Sequence, residues 1–165
     1  MAGDADPFQT LLDDHEEFLE KLHELEAVLD EMTNTREAND GNRELLDESL
    51  RFFEEELLPH IRSEDDLVLP ALESKIGRFG TLVGVIAYEH EEVRREIAKF
   101  REARNELDVA RDPWPAIQEL NRHGIFTIQF LWDHFRKERV SLFPTARKSL
   151  SPDELTEIGA RLVQR

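Results

Sequence analysis

The chain has 165 residues, enough for one domain with a substantial core and too few for two comfortable ones. Its 21 basic and 37 acidic residues give a formal charge of −16, which opposes nonspecific attraction to nucleic acid or anionic lipid, and no concentrated Lys/Arg block offers a local exception. The absence of cysteine excludes disulfides, thiolate zinc sites and cysteine-ligated iron–sulfur clusters, leaving imidazole and carboxylate as the ligands open to a metal.

Taken in chain order, Asp6 is placed to cap a first helix, with Pro7 at its first position and Gln9 set for a capping box. Phe8, Leu11, Leu12, His15, Phe18, Leu19, Leu22, Leu25 and Leu29 recur at helical spacing into the low thirties, which puts His15 on an apolar stripe. The Asn39-Asp40-Gly41-Asn42 segment predicts the break before a second helix. That helix has a stripe of Leu46, Leu50, Phe53, Leu57, His60, Glu64 and Leu67. Pro59 removes an interior helix hydrogen bond and predicts a kink or local irregularity just before His60. Gly77 and Gly80 mark the next connection, and a third stripe follows in Val83, Ile86, His90, Val93, Ile97 and Phe100. Beyond the Asp112-Pro113-Trp114-Pro115 punctuation, a fourth helix presents Leu120, His123, Thr127, Phe130, Leu131, His134, Glu138 and Leu142. Pro144 and Ser151-Pro152-Asp153-Glu154 then introduce a short terminal helix over residues 152–164.

Nothing in the chain has the pattern of a strand. The expected fold is all-α, an up-down-up-down antiparallel four-helix bundle over residues 6–148 with a short C-terminal fifth helix, in a single domain over residues 1–165. The opening MAGDADPFQT has neither a basic region nor an apolar stretch, and no run approaches the roughly 20 apolar residues that span a bilayer. A soluble cytoplasmic protein with no membrane or nucleic-acid partner is the expectation.

The chain also repeats itself. His15 is followed at His60 by a HxxxE pair with Glu64; His90 is followed at His134 by a HxxxE pair with Glu138. HEE at 15–17 recurs at 90–92, and HIRSEDDLVLP at 60–70 resembles HFRKERVSLFP at 134–144, each with proline ten residues after its histidine. The constant offset of 74 to 75 residues marks a duplicated helical hairpin. Because a helix turns about 100° and rises about 1.5 Å per residue, HxxxE stacks two donors on one face. One such pair arises easily by chance in an acidic helical protein; two matched pairs, with His15 and His90 inward on the other two helices, bring six donors to one level. The alternative is a set of polar residues on partly exposed faces or hydrogen-bonded to one another in the core. Burying two carboxylates and four imidazoles without a cation is costly, and a pair of dications supplies the compensation. Glu64 and Glu138 can each bridge two metals, with His15 and His60 on one and His90 and His134 on the other. Iron, manganese and zinc all suit these ligands.

At these residues the sequence resembles the hemerythrin-like (HHE cation-binding) family, over essentially all four long helices. The resemblance implies that His15, His60, Glu64, His90, His134 and Glu138 ligate a non-haem di-iron centre, two iron ions with a bridging oxide or hydroxide. The chain departs from the oxygen-carrying hemerythrins, which look to have HxxxH on the third helix, since Ile86 stands four residues before His90. It also has HxxxE on the fourth helix, where the carriers have a longer histidine-to-aspartate spacing. The order H, HxxxE, H, HxxxE looks instead like a bacterial subgroup associated with oxygen, nitric oxide or peroxide chemistry. That implies a more open, less histidine-rich site than a reversible carrier's. Phe53, Leu57, Ile86, Phe130 and Leu131 lie near the ligand level in sequence phase, as an apolar wall or as ordinary bundle core, two roles that can coexist.

Three functions compete on this basis. One is binding of dioxygen or a related small oxidant for sensing, storage or detoxification, with a separate, unidentified protein partner if the task is sensing. The others are a di-iron peroxidase or nitric-oxide-processing enzyme, and an iron-storing or structural bundle. Four further residues carry expectations: a second cation site or proton relay shared by His23 and His123, against plain surface or boundary histidines; Glu56 beside His60 as an extra ligand or as an acceptor for an imidazole N–H; and a peripheral Tyr88. No nucleophile triad, phosphate loop or dinucleotide fingerprint is present.

Overall fold

A computed structural model describes residues 5–165, and every regular element among them is helical. Helix α1 spans Gln9–Thr35 and stops where Arg36 turns left-handed at φ 59°. Helix α2 is a continuous run over residues 40–76, built as Asp40–Phe52, a π turn Phe53–Leu57, Leu58–Ser63, a second π turn Glu64–Val68, and Leu69–Ile76. Helix α3 is Leu82–Val109. Helix α4 comprises Trp114–Lys137, a π turn Glu138–Leu142, and Phe143–Ser149; helix α5 is Pro152–Gln164. No helix of the described residues is long and apolar enough to cross a membrane.

The helix starts follow their capping chemistry, with one shift. Asp6 accepts from the Phe8 N–H at 3.0 Å, so Pro7 and Phe8 form a turn and the helix opens at Gln9. Gln9 is spent on Asp13 and closes no capping box. Asn39, expected inside a connection, instead caps α2: it accepts from the Asn42 N–H while the Asn42 side chain accepts from its own. Gly77 and Gly80, at φ 76° and 73°, supply the left-handed backbone of the α2–α3 connection. Ser151 and Glu154 form the reciprocal box that starts α5.

The irregularity expected before His60 is the π turn Phe53–Leu57, and the same device occurs twice more. Leu58, Leu69 and Phe143 each donate their N–H five residues back, to Phe53, Glu64 and Glu138. The next residue is a proline in every case: Pro59, Pro70 and Pro144. A proline has no N–H and its ring collides with the carbonyl four residues earlier, so the helix widens by one residue there. The widening moves the core phase. Val68 is fully buried and Leu67, expected inward, is only half-buried.

The buried apolar side chains fall into two clusters. One gathers Phe18 to Met32 of α1, Leu46 to Ile61 of α2, Val93 to Leu107 of α3 and Ala116 to Phe135 of α4. The other gathers Phe8 and Leu11, Val68 to Leu72, Val83 and Ile86, and Leu142 to Leu150, closed over by Ile158 and Leu162 of α5. The site residues lie where the two clusters meet: His15 on α1 and His90 on α3 fall between them, while on α2 and α4 His60 with Glu64, and His134 with Glu138, flank Ile61 and Phe135, the last members of the first cluster.

Candidate metal centre

All six residues are interior, from fully buried to 5 % exposed. The π turns start at Glu64 and at Glu138, so each carboxylate lies where its helix widens. His15 Nε2 lies 3.2 Å from Glu138 Oε1, and His134 Nε2 lies 3.3 Å from the same oxygen. His60 Nε2 and His90 Nε2 lie 3.1 and 3.7 Å from Glu64 Oε1. Each glutamate therefore faces one histidine of its own hairpin at HxxxE spacing and one from the other hairpin. Two overlapping groups of converging donors result, His15–His60–Glu64–Glu138 and Glu64–His90–His134–Glu138, with the donor atoms of each within 4.8 Å of one another.

The fit to a cation rests on what these atoms lack. The four Nε2 atoms and all four glutamate oxygens are buried without a hydrogen-bond partner, despite those short separations. Eight orphaned polar atoms in one dry interval would destabilise the fold severely, since buried donors and acceptors are otherwise satisfied almost without exception. Imidazole nitrogen and carboxylate oxygen, with no sulfur, form a donor set suited to iron, manganese or zinc. These buried groups could hold a metal.

Outside this layer, carboxylates hold the far side of three rings. The Nδ1–H of His60 donates to Asp14 at 2.8 Å, that of His90 to Asp65 at 2.6 Å, and that of His134 to Glu89 at 2.9 Å. A proton fixed on Nδ1 leaves the Nε2 lone pair facing inward, the tautomer a metal requires. Each carboxylate is also bonded to a cation: Asp14 to Arg165, Asp65 to Arg94 and Glu89 to Lys137. Burial works against the charge on all three, but their imidazole and cationic partners hold them below the ordinary carboxylate range. His15 is the exception. Among the described residues no carboxylate meets its Nδ1, and its ring stacks on Phe135 at 4.2 Å and 17°.

Without a cation the layer compensates through protons. Burial, then the charge of Glu138, pushes Glu64 well above the usual range. Burial also opposes charge on Glu138, but the attraction of His134 holds it low. Burial disfavours imidazolium at His60 and His134 as well; Glu64 with Asp14, and Glu138 with Glu89, outweigh it and raise the two rings to about 9 and about 10. At His15 burial prevails over Glu138, and the ring is lowered.

Several outer features differ from the sequence reading. Glu56 turns outward to Lys21 at 3.6 Å; the carboxylates beside the imidazoles are Asp14, Asp65 and Glu89. Each of these adjoins a site residue in sequence, but adjacency on a helix points about 100° away, so the signal becomes visible only when the next helix is in place. His23 is exposed, and His123 is engaged by Glu96 at 2.7 Å and Glu119 at 3.1 Å, so the two share no site. Phe53, Leu57, Ile86 and Leu131 are buried, but Phe130 is half-buried and stacks on the exposed Phe126. The phenyl rings beside the imidazoles are Phe135, stacked on His15 and also near His134 and His60, with Phe143 beside His15 and Phe18 edge-on to His60. Tyr88 is 63 % exposed, at the periphery as expected.

A helical bundle whose core is divided by a layer of unpartnered histidines and glutamates belongs to the class of cation-binding bundle proteins. The profile of the hemerythrin HHE cation binding domain matches residues 6–146, and the chain belongs to that family. No curated protein matches it significantly.

Proposed function

We propose that the chain is a non-haem di-iron protein that binds dioxygen or a related small oxidant for sensing, storage or detoxification, with His15, His60, Glu64, His90, His134 and Glu138 as its ligands. The observation that carries this reading is the set of eight buried, unpartnered donor atoms, divisible into two groups that share both glutamates. Two ions held jointly by Glu64 and Glu138 would use every one of them. Bound iron would supply reversible electron transfer to a small oxidant. The chain's own residues set the terms: Asp14, Asp65 and Glu89 fix tautomer and ring orientation, while Phe18, Phe135 and Phe143 exclude water. The interior placement of all six residues supports a small ligand, a diatomic gas or peroxide.

The order H, HxxxE, H, HxxxE supports, on this reading, membership of the bacterial hemerythrin-like subgroup. An up-down-up-down antiparallel arrangement goes with it, supported by the two apolar clusters, which exchange ends from each long helix to the next. The protein would act in the cytoplasm, apart from membranes and nucleic acid, and signal through a separate protein if it is a sensor. The test is metal analysis with optical spectra of aerobically purified protein, before and after reduction and exposure to oxygen, nitric oxide and peroxide. Two irons per chain with bands that respond to one of these support the proposal; catalytic consumption of peroxide or nitric oxide would make the protein an enzyme. One tightly held zinc with silent spectra would overturn it.

A further inference from the structure

We infer that the two cation positions are inequivalent: the one framed by His90 and His134 fills first and holds tightly, and the one framed by His15 and His60 is the exchangeable position. This rests on the two-ion reading above and follows from the outer surroundings of the four rings.

Both rings of the His90–His134 position are clamped from behind. Asp65 holds His90 and is itself held by Arg94; Glu89 holds His134 and is held by Lys137. An imidazole whose Nδ1–H is committed to a carboxylate is a more basic ligand and is already oriented, and losing such a partner typically weakens metal binding about 10- to 100-fold. The His15–His60 position has one clamp. Asp14 holds His60 and also bonds Arg165 of the C-terminal segment. For His15 the duplicated hairpin explains the difference. Advancing 74 residues carries His60 and Glu64 onto His134 and Glu138, and it carries Asp65, the partner of His90, onto residue 139. Residue 139 is arginine, which accepts nothing from an imidazole. His15 is left stacked on Phe135, which fixes the ring plane but adds no charge.

Access points the same way. A cleft of about 570 Å³ between α1 and α2 has His60 itself in its wall, beside Asp14 and Phe18. A larger cleft of about 710 Å³ beside α3 reaches Asp65 but none of the six donors. His60 is the one donor residue that borders either cleft, and none of the rings of the other position does.

The test is an anaerobic calorimetric titration of the metal-stripped full chain with Fe(II), followed by chelator challenge of the loaded protein. Two binding phases separated about 10- to 100-fold are expected, with one ion per chain lost early to chelator. His15→Ala should keep the tight phase and His90→Ala should leave only the weak one. Asp65→Asn, which removes no ligand and whose fold is checked by circular dichroism, should weaken the tight phase selectively and draw the two together. Two ions bound in a single phase, or a tight phase that survives His90→Ala and vanishes in His15→Ala, overturn the inference while leaving the two-ion reading intact. A wild-type chain that takes up fewer than two ions overturns both.

Discussion

The hairpin α1–α2 and the hairpin α3–α4 carry the same site parts at an offset of 74 to 75 residues, and they differ in what surrounds those parts. His15 and His90, His60 and His134, and Glu64 and Glu138 correspond. So do Asp14 and Glu89, each of which bonds the second histidine of its own hairpin, and the π turns that begin at the two glutamates. The correspondence fails one layer out: Asp65 against Arg139, Ile61 against Phe135, Pro59 against Asp133, and Leu50 against Gly124. The third π turn occurs only in the hairpin that has Pro59. The six interior residues thus correspond in pairs inside an asymmetric protein, and any functional difference between the two donor groups would originate in the surroundings.

The strongest way to break the symmetry argument is to remove a shared part. Glu138→Ala takes oxygen donors from both groups, facing His15 from one hairpin and His134 from the other. It should abolish binding at both positions, with affinity down by more than about 100-fold, beyond the usual loss for an outer partner. Glu64→Ala should match it. Metal-to-protein ratios after gel filtration check this; retention of one full ion in either variant would mean that the glutamates are not shared.

Acidity separates the metal-free from the loaded protein. His60 and His134 are raised from 6.5 to about 9 and about 10 when the site holds only protons. A group raised by folding contributes stability that is fully present below its unfolded value and is lost as pH rises through its folded value. Melting temperatures of the metal-free protein should therefore fall between about pH 7 and pH 10 on account of these two rings. Metal requires their Nε2 atoms unprotonated, so the stabilisation on adding metal should grow over the same interval. A constant difference between the two melting curves would contradict the proton-for-metal exchange.

A packing difference sets a third test. Gly124 lies where α4 meets α1 and α3 closely: a Cβ there would stand 2.6 Å from Leu29 Cδ1 and 3.2 Å from Phe100 Cε2. Its counterpart Leu50 is only half-buried. Gly124→Ala should lower stability by about 1–3 kcal/mol through overpacking, a loss of several degrees in Tm. Metal stoichiometry should be unchanged, because the strain falls in the apolar cluster and not in the polar layer.

The helices, most of the inward stripes and the convergence of the six histidines and glutamates were legible because each depends on spacing within one segment. HxxxE stacks two groups on one face whatever else the chain does, and the second copy distinguishes the pattern from chance. Pro59 announced its π turn for the same local reason. Pro70 and Pro144 carried the same signal at the duplicated position, yet the turn they cause shifts phase by one residue, which is why Val68 and not Leu67 is core. The outer carboxylates were hidden for a different reason: Asp14, Asp65 and Glu89 act across helix boundaries, on a ring belonging to the next helix. Phe135 was hidden likewise, next to one histidine in sequence and stacked on another from α1.

The smallest expected effect is also the most specific. If the missing acceptor at residue 139 causes the inequality, supplying one should repair it. Arg139 is exposed and occupies on α4 the place that Asp65 occupies on α2, immediately after the glutamate that begins a π turn. The backbone in both hairpins widens at the same residue, so a carboxylate in Arg139→Asp has the same approach to His15 that Asp65 has to His90. The weaker Fe(II) phase should tighten about 10-fold, the low end of the range for such partners, while the tighter phase stays where it is. Calorimetric titration of the variant beside wild type reads both at once. An unchanged weak phase would show that the Phe135 stack, and not the absent carboxylate, sets the affinity at His15; Phe135→Ile, which restores the residue found at the matching position, would then be the substitution that moves it.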